Sequence, residues 1–157
     1  MSKHAAVIAW QRDGAVFTDN RYSRGHRWTF DGGVGLPASA SPHVVPHPLS
    51  VGAAVDPEEA FVAALASCHM LWFLSIAAQR GFVVDSYRDD AVGTMGPNGA
   101  GKPAITEVTL RPQVVFASDN RPSPSEHQAM HHEAHEQCFI ARSVKTNVAC
   151  EPRDVTS

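Results

Sequence analysis

Between Phe61 and Ala78 the chain reads FVAALASCHMLWFLSIAA, eighteen residues in which His69 is the only strongly polar side chain. At about 1.5 Å per residue such a helix is roughly 27 Å long, yet it is too interrupted and too poorly flanked to read as a membrane span. A soluble helix that is apolar on nearly every face must be covered on nearly every face. One small sheet from a chain of 157 residues cannot do that alone, so the pattern predicts a homodimer in which a second copy supplies the rest of the cover.

The ends of this helix are well signalled. Asp56 suits the N-cap, Pro57 the first helical position, and Glu58 and Glu59 the positive end of the helix dipole. It is expected to run to about Arg80, where Gly81 can take the left-handed conformation that ends a helix. A second helix is predicted from the capping box Ser123, Pro124, Glu126, carrying a run of histidines and then Cys138. Around the helices the pattern is β. AAVIAW reads as a strand, QRDG as a turn, and AVF as the start of a returning strand; RWTFDGG and VGLPASA offer further strand and turn material. TEVTLRPQVVF alternates cleanly, with Val108, Leu110, Val114 and Phe116 on one parity, and Pro112 marks an edge or a bulge. DSYRDDAVGTM can pair with it across PNGAG, and KTNVACE reads as a last strand. Residues 36–57, rich in proline and small residues, read as a long connection.

Length and composition favour one domain over 1–157, with 43% apolar and 18% charged residues. A formal net charge of -3 and scattered Lys and Arg leave no basic stripe, which argues against nucleic acid as a partner. The N-terminal apolar run, broken by Gln11 and Arg12, fits neither a signal peptide nor a span, so no membrane association is expected. Three cysteines at wide spacing, Cys68, Cys138 and Cys150, do not form a secreted disulfide framework. A reducing cytoplasm fits them better.

Several residues are candidates for chemistry. Cys68, taken alone, reads as a small buried hydrophobe; with His69 beside it and Cys138 at the tail of the other helix, two packed helices could bring the thiols to disulfide distance. HHEAHEQC invites a metal reading, but the His-Glu-x-x-His order of a zincin is absent. His127, His131 and His135 at helical spacing could hold an adventitious ion with Cys138; the preferred reading is a solvated helix face, with Met130, Ala134 and Ile140 turned inward and no metal bound. Glu58 has a structural role in the first helical turn. Because it lies ten residues from Cys68, about 15 Å along one helix, a site using both takes Glu58 from one subunit and Cys68 from the other. Among the arginines, Arg12 sits at a turn tip and Arg24 lies between Tyr22 and Trp28. The choice between them stays open.

At DPEEAFVAALASCHMLWFL and AHEQCFIARSV the chain resembles the OsmC/Ohr family, the osmotically inducible and organic hydroperoxide resistance proteins. YSRGHRWTFDGG and SCHMLWFL are more similar to an OsmC-like branch than to the core peroxidases; Phe139 stands where those usually have proline, and His69 after Cys68 is unlike them. The resemblance implies an α+β fold of antiparallel sheets wrapped around two central helices in an intertwined homodimer. It implies thiol peroxidase chemistry on small organic hydroperoxides in oxidative stress defence. Cys68 is then the attacking thiolate, Cys138 the resolving thiol that closes a disulfide, Arg24 or Arg12 the cation beside the reacting oxygen, and Glu58 its orienting partner. No resident cofactor is expected; an external dithiol, possibly a lipoyl protein, regenerates the thiols. The alternative is a noncatalytic OsmC-like protein that binds a small molecule in the apolar interface cleft.

Overall fold

The computed structural model of the chain describes residues 1–117 and 120–153. Its internal contacts group into two compact units, residues 1–60 and residues 61–157.

The first unit is built on a three-stranded antiparallel sheet in the order β1 (Ala6–Ala9), β2 (His26–Phe30), β3 (Gly35–Ala38). Ile8 stands opposite Trp28, and Trp28 opposite Leu36. The turn at Asp13 and Gly14 forms as expected, with the Ala15 N–H donating to the Arg12 carbonyl at 3.1 Å. The strand expected to return from it does not. Phe17 takes φ +75° and Asn20 φ +59°, a region that extended backbone never visits. Phe17 instead stacks on Tyr22 at 4.6 Å and tilts against Trp10 at 5.8 Å, so β1 finds its partner only at β2. The connection from residue 36 to 57 folds back on β3. Ser39 is fully buried, accepts the Val51 N–H on its hydroxyl at 2.9 Å, and donates its own N–H to the Val55 carbonyl at 3.0 Å. Small polar residues thus satisfy backbone groups that a buried loop would otherwise orphan.

Helix α1 (Pro57–Gln79) begins at the end of this unit and runs through the next. Its N-terminus carries a reciprocal box, in which the Glu59 N–H donates to Asp56 Oδ1 at 2.8 Å and the Asp56 N–H to Glu59 Oε2 at 3.2 Å. Gly81, at φ +79°, ends it, and the Phe82 N–H reaches back to the Ala77 carbonyl at 2.9 Å.

The second unit adds β4 (Val84–Asp89), β5 (Val92–Pro97), β6 (Pro103–Leu110), β7 (Pro112–Phe116), α2 (Pro124–Gln137), a 3₁₀ turn at Ala141–Ser143 and β8 (Asn147–Cys150). The alternating stretch around Pro112 is not one strand. It divides at Arg111 into β6, paired with β5 and β8, and β7, paired with β4. Pro112 has no N–H to continue a ladder, and the Arg111 N–H leaves the ladder for the Asp89 carboxylate, so the chain changes sheets there. β5 pairs with β6 across the Asn98 to Lys102 loop as expected, whereas β4 pairs with β7. β8 joins β6 in parallel, the one exception to antiparallel pairing among the described strands. Helix α2 is capped by Ser123, whose hydroxyl accepts the Glu126 N–H while the Glu126 side chain accepts the Ser123 N–H.

Two apolar clusters fill this unit. Phe73, Ile76 and Ala77 of α1 meet Val114 and Phe116 of β7 and Met130 and Ala134 of α2; nearer the helix start, Leu65 packs on Val108 and Leu110 of β6. Burying side chains of this size stabilises the unit by about 1.5–3 kcal/mol each before entropy is counted. α1 is long and apolar enough to pass as a membrane span by composition, but Leu65, His69, Phe73 and Ile76 are packed in protein. Ala63, Ser67, Leu71 and Ser75, four residues apart, form the exposed stripe. These elements make the α+β architecture expected from the sequence.

Candidate redox site

Cys68, Leu71, Trp72 and Ser75 recur at helical spacing on one face of α1, and with Phe139 they line an open, almost wholly apolar cleft of about 300 Å³. Trp72 meets Phe139 edge-on, with ring centroids 5.5 Å apart. Cys68 is half-buried at this cleft. Cys138 lies behind it. It caps α2, where its N–H donates to the His135 carbonyl at 3.2 Å, and its sulfur accepts the Ala141 N–H at 3.4 Å. The Cys138 side chain is 1% exposed. Burial, and then the neighbouring Cys68, pushes its thiol up to about 11. The two helices therefore bring these thiols into contact, one facing a cleft and the other sealed behind it, and both are free.

The next residue along α1 is turned by about 100° and faces the core instead of the cleft. His69 is 1% exposed, with Nε2 3.0 Å from His131 Nδ1 and 3.7 Å from the Cys150 sulfur; His131 Nε2 lies 3.2 Å from His127 Nε2. The His131 ring stacks on Phe73 at 4.2 Å. Burial, then His135, lowers His69 to about 4; burial, then His69 and His127, lowers His131 to about 3. Both imidazoles are neutral at physiological pH. His131, at 2% exposure, corrects the expectation of a solvated histidine face: only His132 of the run is fully exposed, and His127 and His135 are half-buried. The reason is helical geometry. His131 shares its stripe with Ala134 and Cys138, three and seven residues on, which are both buried.

The other candidates lie in the first unit. Arg24 is half-buried, its guanidinium 3.6 Å from the centre of the Tyr22 ring and donating to the Tyr22 carbonyl and to Asn20. It lines a cleft of about 500 Å³ with Trp10, Phe17, Tyr22 and His26. Arg12 is exposed and donates to the Ala15 carbonyl at 2.9 Å. Glu58 is half-buried, with Oε2 sealed from solvent and without a hydrogen-bond partner.

A helix-borne thiol at an apolar cleft, with a second, buried thiol beside it, marks this as a two-thiol protein of α+β fold. The chain belongs to the OsmC-like family, whose model, described as OsmC-like protein, matches residues 50–153. It is similar to an OsmC-like protein of unknown function from Vibrio cholerae, with 60% identity and a TM-score of 0.95, covering 98% of this chain and 100% of that one. Two more distant structures share the fold. One is an organic hydroperoxide resistance protein OsmC from Legionella pneumophila, at 15% identity and TM-score 0.69, covering 99% and 98% of the two chains. The other is the organic hydroperoxide resistance protein OhrB of Bacillus subtilis, at 17% identity and TM-score 0.65, covering 98% of each. No curated protein sequence matches the chain.

Proposed function

We propose that this protein is a thiol-dependent peroxidase acting on organic hydroperoxides, with Cys68 attacking and Cys138 resolving. The observation that carries this reading is the placement of the Cys68 thiol at an apolar cleft with the buried, free Cys138 thiol beside it. The Cys68 thiolate attacks the distal oxygen of ROOH; the O–O bond breaks, ROH leaves after protonation, and Cys68 becomes a sulfenic acid. Cys138 then displaces water from that sulfenic acid and closes a disulfide. An external dithiol, possibly on a lipoyl protein, returns both thiols to the reduced state with no resident cofactor. The apolar cleft walls favour an organic peroxide over hydrogen peroxide.

The assembly in this proposal is a cytoplasmic homodimer. Along the exposed stripe of α1, Ala63 and the 60% exposed Leu71 are apolar surface for a second copy to cover, set between the small Ser67 and Ser75. Glu58 and Arg24 of one copy then serve Cys68 of the other, Glu58 orienting the guanidinium that steadies the departing oxygen; Arg12 is the rival for that role. The test is consumption of cumene hydroperoxide with dihydrolipoamide as reductant. Turnover is expected for the native chain and absent in Cys68→Ser, while Cys138→Ser performs one turnover and leaves a trappable sulfenic acid. Activity that survives Cys68→Ser sinks the mechanism.

A second reading, a noncatalytic small-molecule binder, draws on the aromatic cleft formed by Trp10, Phe17 and Tyr22. It expects no peroxide turnover and a rise in melting temperature with an apolar ligand.

A further inference from the structure

The His69, His131 and Cys150 side chains are not used by the peroxidase chemistry, and their arrangement is unusual for a core. One ring nitrogen each from His69 and His131 and the Cys150 sulfur all lie within 4.8 Å of one another. An imidazole nitrogen has one in-plane direction, taken up either by a lone pair or by an N–H. His69 Nε2 nevertheless approaches two partners, His131 Nδ1 at 3.0 Å and the Cys150 sulfur at 3.7 Å. A proton placed there serves one of them well; a cation among the three draws on three lone pairs together.

We propose that His69, His131 and Cys150 form a buried binding site for one divalent transition ion of borderline softness, with zinc the best match. Two imidazole nitrogens and a thiolate are the donors such an ion prefers. Zinc bond lengths of about 2.0–2.1 Å to nitrogen and 2.3 Å to sulfur put tetrahedral ligand atoms roughly 3.3–3.6 Å apart. The 3.0 Å and 3.7 Å separations are within a few tenths of an ångström of that spacing, and the third, between His131 and Cys150, lies within 4.8 Å, so these two ligands draw together on binding the ion. The surroundings of His131 agree, while His69 Nδ1 is buried without a hydrogen-bond partner. His131 has its second nitrogen against His127 at 3.2 Å, the outer partner that fixes the tautomer and ring orientation of a metal-bound histidine. Burial lowers both imidazoles, so no proton has to be displaced from them near neutrality. Cys150 is pushed up to about 12 by burial and then by Asp89 and Glu151; those carboxylates disfavour a bare thiolate and favour a cation at the same place. Binding exchanges the thiol proton for the ion: M²⁺ and Cys–SH give Cys–S–M⁺ and H⁺ released to solvent. This set differs from the histidine face weighed in the sequence, sharing only His131 with it, and it is independent of the peroxidase reading.

The test is titration of the reduced, metal-free full chain with Co²⁺ alone, followed by Zn²⁺. One equivalent of Co²⁺ is expected to give visible bands of tetrahedral intensity and a near-ultraviolet sulfur-to-cobalt charge-transfer band, both erased by one equivalent of Zn²⁺. The doubly substituted Cys68→Ser, Cys138→Ser chain should keep them. Cys150→Ser should lose the charge-transfer band and bind at least about tenfold more weakly. As a check that does not depend on that variant folding, Zn²⁺ should slow alkylation of Cys150 in the native chain, read by peptide mass. Absence of tetrahedral bands in the native chain overturns the proposal. So does a charge-transfer band that survives Cys150→Ser but vanishes when Cys68 and Cys138 are replaced, and so does alkylation of Cys150 at an unchanged rate.

Discussion

Cys68 and His69 are consecutive residues of one helix, and the structure puts them in opposite circumstances. Cys68 stands at an open cleft with a second thiol behind it; His69 is sealed in the core, stacked on His131, which in turn stacks on Phe73. A single 100° step along α1 thus separates a cleft face from a core face. Substitutions on the cleft face should change chemistry and spare stability, and substitutions on the core face should do the reverse. Each experiment below attacks that division.

The sharpest cut is at the cleft. Cys68→Ser should lower the rate of cumene hydroperoxide turnover by at least about 10³-fold, because an alkoxide is not available near neutrality to replace the thiolate. It should shift unfolding free energy by less than about 0.5 kcal/mol, as expected for a half-buried isosteric change. On the other face, Phe73→Ala should cost about 4 kcal/mol in chemical denaturation, since Phe73 is fully buried and stacks on His131. A loss below about 1 kcal/mol would show that this face is not the core.

Acid should also distinguish the two faces. His69 falls from an ordinary value of 6.5 to about 4 in the folded protein, through burial and then the charge of His135. Between those values the unfolded chain binds more protons, so stability rises with pH. The contribution is complete above about pH 6.5 and is lost as pH falls through 4; for His69 alone it is about 3 kcal/mol over that window. Unfolding of the metal-free protein followed at pH 7.5, 6, 5 and 4 should show the decline. A flat profile would mean that the imidazole is hydrated.

Much of this architecture could be read from local chemistry, and the failures share a cause. Asp56, Gly81 and Ser123 announce helix ends because caps are satisfied by neighbours in sequence. The mistake at residues 15–17 and the division at Pro112 arose where the partner is remote: Phe17 is held by Tyr22 and Trp10 rather than by a ladder, and Asp89 takes the Arg111 N–H across 22 residues. Cys68 and Cys138 were visible as a possible pair because each sits on a long helix, and the family resemblance gave the pair its roles. His131 was misplaced because a histidine-rich helix was read as polar, although its phase with Ala134 and Cys138 pointed inward. Its partner His69 is 62 residues away, beyond any periodicity.

The smallest expected effect concerns the shape of the cleft. Phe139 is 59% exposed and touches Trp72 edge-on, so removing its ring leaves no sealed cavity, and Phe139→Ala should change unfolding free energy by less than about 0.5 kcal/mol. If the Trp72–Phe139 pair forms the wall against which an organic substituent rests, the same substitution should raise KM for cumene hydroperoxide about threefold to tenfold, the worth of about one aromatic contact. The KM for hydrogen peroxide, which has no substituent to rest there, should be unchanged. Steady-state kinetics on both peroxides separates the outcomes. An equal rise for the two would assign Phe139 to positioning Cys68, and an effect on stability larger than on KM would move Phe139 from the cleft face to the core face.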